Sequence, residues 1–152
     1  MAELDKEKTV VVLNRLLEAE LAGVVRYTHY SFLVFGFGRI PIVSWLRSQA
    51  DESLLHAQQV GEWVTALGAH PSLAIGSLLE SHQHDVGSML RESLETEARA
   101  LVLYRELLAV VEGCSVALEE FARQMILQEE MHAADVDKML RKPGDVATFS
   151  KN

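Results

Sequence analysis

Apolar residues recur at three- and four-residue steps in four long stretches, the spacing of one buried face of an α-helix. In the first stretch Leu13, Leu16, Leu17, Glu20, Val24 and Tyr27 share a face, which predicts a helix from Asp5 to about Phe35. Gly36, Gly38 and Pro41 then supply a turn. The second stripe is Ile42, Leu46, Gln49, Ser53, His56, Val60, Trp63 and Leu67. It predicts a helix that begins at Pro41 or just after and stops at Leu67-Gly68-Ala69-His70-Pro71. A third helix should open near Asp85, carry Val86, Leu90, Ser93, Glu97, Ala100, Tyr104, Leu107 and Val111 along its seam, and close at Glu112-Gly113. Ser115 suits the N-cap of a fourth, and Glu119 and Glu120 suit its positive end. The fourth seam is Leu118, Ala122, Met125, Glu129, His132, Val136 and Met139, and Lys142-Pro143-Gly144 ends it. Helices one and two, and three and four, are joined too tightly to be anything but antiparallel hairpins, whereas Pro71 to His84 is long enough to cross a bundle. The expectation is an all-α, antiparallel four-helix bundle with one long crossover between helices two and three.

Each seam also carries a residue that an apolar core would reject. Glu20, His56 and Glu97 fall at stripe positions, as do Glu129 and His132 together. An unpaired buried carboxylate costs several kcal/mol, so it neutralises or finds a cation. Several converging carboxylates need a common counter-ion, and a metal supplies it. Glu129-x-x-His132 places a carboxylate and an imidazole on one helical face. In di-iron bundles two helices give one glutamate each and the other two give a Glu-x-x-His. Glu20 and Glu97 match the single glutamates, on helices one and three, while His56 and the Glu129/His132 pair lie on helices two and four. Oxygen-rich sites with a few imidazoles suit iron or manganese, whereas structural zinc favours cysteine.

The interval from Glu20 to His56 recurs, one residue shorter, from Glu97 to His132, and both histidines begin a similar string (His56-Ala57-Gln58-Gln59-Val60, His132-Ala133-Ala134-Asp135-Val136). Two like hairpins facing each other would give a pseudo-two-fold site. Aligning the histidines sets Ser53 opposite Glu129, so helix two lacks its Glu-x-x-His. Glu52 is the nearest substitute. Position 53 lies about 60° to one side of the histidine and position 52 about 40° to the other, at 100° per residue. Glu52 can therefore face the metals from a different angle or lie along the surface.

Composition narrows the class. A chain of 152 residues with 49% hydrophobic content supports one domain, 1–152, with its core at about 5–142 and a short tail at 143–152. The net charge is -8 with no basic tail, which argues against nucleic acid as a partner. Phe32 to Phe37 is the longest apolar run, too short to cross a membrane, and Met1 to Thr9 is charged without an export-signal core. With Cys114 the sole cysteine, a cytoplasmic location is expected. The apolar excess from Leu33 to Val43, with Phe35 and Phe37, predicts a homo-oligomer, at least a dimer.

Over residues 10 to 140 or so the chain resembles the bacterioferritin branch of the ferritin-like superfamily. The resemblance is carried by Leu13-Asn14-Arg15-Leu16-Leu17 before Glu20 and Tyr27, by His56-Ala57, by Met89-Leu90-Arg91 before Glu97, and by Glu129-Glu130-Met131-His132. It implies a ferritin-like fold and a di-iron ferroxidase that oxidises iron(II) with dioxygen or hydrogen peroxide, for iron storage or detoxification. It also implies two iron ions per chain, with manganese as an alternative. Carried over by position, Glu20 and Glu97 are terminal carboxylates, His56 and His132 nitrogen ligands and Glu129 a bridge, and all three glutamates serve catalysis. The family's second bridge falls at Ser53, with Glu52 as its substitute, completing the expected metal set. Leu54 stands where the branch commonly has its haem-binding methionine, so no methionine-ligated haem is expected. The short fifth helix of the branch has no counterpart after Arg141, which weakens the expectation of a closed shell.

Three other readings remain open: a peroxidase- or catalase-like di-iron or di-manganese oxidoreductase, a structural oligomer-forming bundle with a degenerate site, and a DNA-protecting mini-ferritin. The acidic balance and the within-chain ligand set disfavour the last. Tyr27 and Tyr104 are expected as core residues bonded to ligand carboxylates. His82 and His84 are expected in solvent and Glu92, Glu95 and Glu130 on a solvated face, while His29 and His70 receive no role.

Overall fold

The computed structural model describes residues 1–149 and contains four helices: α1 (Lys6–Phe32), α2 (Arg39–Ala66), α3 (Val86–Val111) and α4 (Val116–Leu140). Three helices open on a side-chain cap. Asp5 accepts from Lys8 N at 3.1 Å, Asp85 from Ser88 N at 2.9 Å, and Ser115 from Leu118 N at 3.3 Å. α2 starts at Arg39, earlier than expected, because proline is tolerated within a first turn, where its missing N–H has no helical partner. α1 stops at Phe32, short of Phe35, and Gly36 at φ +100° turns the chain into α2.

The bundle is antiparallel with one crossover, as the stripes predict. α1 packs on α2 and on α3, and α3 packs on α4. Among the described residues the backbones of α2 and α4 do not approach within 8 Å. Two apolar clusters result. Leu13, Leu16 and Leu17 meet Val60, Tyr104, Leu107 and Met125 in the larger one. Tyr27, Tyr30 and Val34 meet Val43, Leu46 and Met89 in the smaller. Between them lies a buried polar layer: Glu20, Ser53, His56, Glu97 and Glu129.

The crossover is tied along α1. Asn14 accepts from Ser72 N at 2.8 Å, and Gly76 N donates to Glu18 O at 2.9 Å. A Cβ on Gly76 would lie 3.0 Å from that same carbonyl oxygen and 3.3 Å from Ala19 Cα, both rigid backbone. Gly76→Ala is therefore expected to lift the crossover and cost about 1–3 kcal/mol, a fall of several degrees in thermal midpoint. An unchanged midpoint would show that the crossover is not held there.

The segment after α4 is less loose than expected up to Phe149. Arg141 pairs with Asp137 at 2.8 Å, and Phe149 N donates to the same carboxylate at 3.2 Å. Residues 150–152 of the expected tail lie outside the described residues.

Candidate metal centre

Five of the six expected ligands converge in the polar layer. One ligand atom each from Glu20, His56 and Glu129 lie within 4.8 Å of one another, and so do atoms from Glu97, Glu129 and His132. Glu129 belongs to both triads. His56 Nδ1 is 3.6 Å from Glu20 Oε1 and 3.5 Å from Glu129 Oε1, and His132 Nδ1 is 3.6 Å from Glu97 Oε1. A void with room for about one water-sized body, roughly 10 Å3, lies among His56, Glu97, Glu129 and His132, and Gln49, Glu52 and Ser53 also border it.

The structure does not bring Glu52 into either triad. It sits 3.7 Å from His56 Nε2, the ring nitrogen facing away from Glu20 and Glu129, and its side chain is 41% exposed. Gln128 occupies the same side: His56 Nε2 and Gln128 Oε1 are 2.9 Å apart. A carbonyl oxygen can only accept, so Nε2 carries a proton. A neutral ring then has its Nδ1 lone pair aimed at the carboxylates, the orientation a metal requires. Ser53 is buried but contributes no carboxylate. Its Oγ would stand 2.8 Å from a Cβ on Gly23, so α1 approaches α2 closely there only because residue 23 has no side chain.

Two tyrosines fix the terminal carboxylates crosswise. Tyr104 on α3 donates to Glu20 Oε1 at 2.8 Å, and Tyr27 on α1 donates to Glu97 Oε1 at 2.7 Å. Each tyrosine lies two turns beyond the glutamate of its own helix and serves the glutamate of the other, so the pseudo-two-fold extends past the ligands. That repeat was present in the sequence as Glu20 with Tyr27 and Glu97 with Tyr104. His132 stacks on Tyr27 at 6.2 Å between ring centres and meets Trp45 edge-on at 6.0 Å.

The charge balance shows what the layer lacks. Burial, then the neighbouring Glu97, push the Glu129 carboxyl well above the carboxylate range. Burial also raises Glu20, against the opposing pull of His56. Glu97 is held below its usual range although burial opposes this, because Glu129, His132, Tyr27 and Arg26 favour its charged form. Burial would depress His56, but Glu129 and Glu20 outweigh it and push the imidazole up to about 10. Glu129 Oε2 and His132 Nε2 are buried without hydrogen-bond partners. Orphaned buried atoms beside a carboxyl and an imidazole that hold extra protons are what a bound cation would correct, so the donor set fits a metal.

Proton linkage follows with a definite sign. At neutral pH a metal must displace the His56 proton, so binding should release protons and tighten as pH rises toward 10. In the metal-free protein His56 contributes stability fully below its ordinary value of 6.5, and loses it as pH rises through about 10. Titration calorimetry in buffers of different ionisation enthalpy measures the release. Equal heats in all buffers would contradict this charge balance.

Comparison with known proteins bears on the fold and the family. Among curated proteins none matches the sequence. The fold matches a ferritin-like diiron-carboxylate protein from Bacillus anthracis with a TM-score of 0.85 and 22% identity, over 93% of this chain and 100% of that one. It also matches the bacterioferritin-related, dodecameric thioferritin of Bacteroides fragilis, with a TM-score of 0.84 and 23% identity over 91% of this chain and 87% of that one. Rhodobacter capsulatus bacterioferritin matches with a TM-score of 0.80 and 23% identity, over 91% of this chain and 86% of that one. At these identities the likeness speaks for the fold. Residues 11–144, nearly the whole chain, match the ferritin-like domain, and the protein belongs to the ferritin-like family.

Proposed function

We propose that the protein is a ferroxidase that takes up two iron(II) ions per chain and oxidises them with dioxygen or hydrogen peroxide, for storage or detoxification. The observation that carries this reading is the sharing of Glu129 by two buried carboxylate–imidazole triads. Two ions held by a common carboxylate sit close enough to deliver two electrons together to one oxidant. Glu20 and His56 would hold one ion, Glu97 and His132 the other, with Glu129 between them. Tyr104 and Tyr27 orient the terminal carboxylates. The carboxylates favour the more highly charged product. Glu52 stands at the outer nitrogen of His56, where it helps to hold the ring.

A cavity of about 260 Å3 reaches the layer from the flank of α1, past Arg26, Gly23 and Ser53 to Glu20 and Glu97. Exposed Phe32, Phe35, Phe37 and Ile40 at the α1–α2 turn support assembly with further copies. Among the described residues no helix is long and apolar enough to cross a membrane.

Iron(II) added without oxygen should bind at two equivalents per chain, and admission of oxygen should then convert it to iron(III) faster than in protein-free buffer. One equivalent, or oxidation no faster than in buffer, would sink the reading. A second reading, a bundle with a degenerate centre, is favoured by one feature: Ser53 withholds a bridging carboxylate on the flank where the Arg26 cation is buried. Stoichiometric binding without oxidation would support it.

A further inference from the structure

Outside the polar layer, His29 on α1 meets Glu80 and His84 of the crossover. His29 Nε2 is 3.0 Å from Glu80 Oε2, and His84 Nε2 is 3.4 Å from Glu80 Oε1. The two imidazoles stand 5.8 Å apart, tilted by 70°. One ligand atom from each of the three residues lies within 4.8 Å of the others. We propose that these three residues form a second, peripheral site for one divalent transition-metal ion of the zinc class, bridging α1 and the crossover.

The donor set is two neutral-capable imidazoles and one carboxylate, a set that suits such ions and leaves a coordination position for water. A tetrahedral ion with bonds of 2.0–2.1 Å spaces its ligand atoms by about 3.3 Å. The two measured separations, each to a different oxygen of Glu80, are close to that spacing, and closing the three ligand atoms from within 4.8 Å of one another onto one ion takes a shift of side-chain torsions only. His84 Nε2 is buried and has no hydrogen-bond partner. It faces the Glu80 carboxylate at 3.4 Å without making a well-formed hydrogen bond to it.

The surrounding chain holds the carboxylate in place. Leu79 at φ +51° and His82 at φ +58° flank it in the left-handed region, a costly conformation for side-chain-bearing residues. His82 N donates to Glu80 Oε1 at 2.6 Å. Ser81 N donates to Glu92 Oε2 at 2.8 Å, and Glu92 also receives the Tyr30 hydroxyl, so the crossover is anchored to α3 and α1 beside the cluster. A cavity of about 170 Å3, lined by Val25, Arg26, His29, Leu78 and Glu80, adjoins two of the three side chains. The cluster shares no residue with the central triads, so it stands or falls apart from the ferroxidase reading.

The test is zinc and cobalt(II) titration of the full chain. In a Glu97→Ala/Glu129→Ala background, which disables the central triads, one equivalent of zinc should still bind. Cobalt(II) should give the strong visible absorption of a four- or five-coordinate ion. Adding His84→Gln or His29→Ala to that background should remove both signals while leaving the metal-free thermal midpoint within a few degrees. Zinc binding that vanishes with the central triads alone would overturn the proposal. So would binding that survives both histidine substitutions.

Discussion

Glu129→Ala is expected to abolish paired-metal binding and lower iron oxidation by at least about 100-fold, while the four helices stay folded. Glu129 is the only residue common to both triads, so its loss takes a ligand from each at once. The terminal residues would be left as two separated pairs, Glu20 with His56 and Glu97 with His132. The fold should survive. Glu129 is buried with one oxygen unpartnered and its carboxyl pushed well above the usual range by burial and Glu97. Its removal relieves that desolvation cost but takes from His56 and Glu97 a partner that favours their charged forms. The metal-free variant should therefore melt somewhat below the parent, and the further stabilisation conferred by added iron should disappear. Stopped-flow absorbance at iron(III) wavelengths and anaerobic titration read the two effects separately. Parent-like oxidation by the variant would remove Glu129 from the centre.

Ser53→Glu should work in the opposite direction, tightening the second ion by roughly 10-fold and speeding the first turnover. Ser53 is one turn before His56 on the buried face of α2, the position that Glu129 holds before His132 on α4. The larger side chain has room, because Ser53 borders the cavity of about 260 Å3 that runs past Gly23. Arg26 lines the same cavity and competes for the new carboxylate, so pairing Ser53→Glu with Arg26→Gln should enlarge the gain. Glu52→Ala is the matching control. With Glu52 beyond the outer nitrogen of His56, its removal should weaken binding only a few-fold. If Glu52→Ala abolished binding and Ser53→Glu changed nothing, the assignment of the two positions would be reversed.

The periodicity of apolar residues was enough to read four helices, their hairpin pairing and the crossover, since a helix must bury one continuous face and these faces are long. Glu20, His56, Glu97, Glu129 and His132 stood out for the same reason, as polar residues on stripes that are otherwise apolar. Glu52 was ambiguous because helical angle alone cannot say which nitrogen of His56 faces inward. The ring orientation, set by Gln128 on α4, turns Nε2 rather than Nδ1 toward Glu52. Glu92, expected on a solvated face, is buried instead, because the crossover folds over it and supplies Ser81 N. His84, expected in solvent, is half-buried against Glu80 and His29. Both differences arise in the segment without a repeating pattern. Contacts made by an irregular connection have no period to betray them.

The division of the core by a polar layer has a consequence for cooperativity. Hydrophobic contact does not run unbroken from one end of the bundle to the other, and α2 and α4 meet across the layer through side chains rather than backbone packing. Without an ion, the two apolar halves communicate mainly through the continuity of the helices and a few shared protons. An ion pair gripped from all four helices would act as the keystone of an arch, so that loading converts two loosely linked ends into a single unit that opens all at once or not at all.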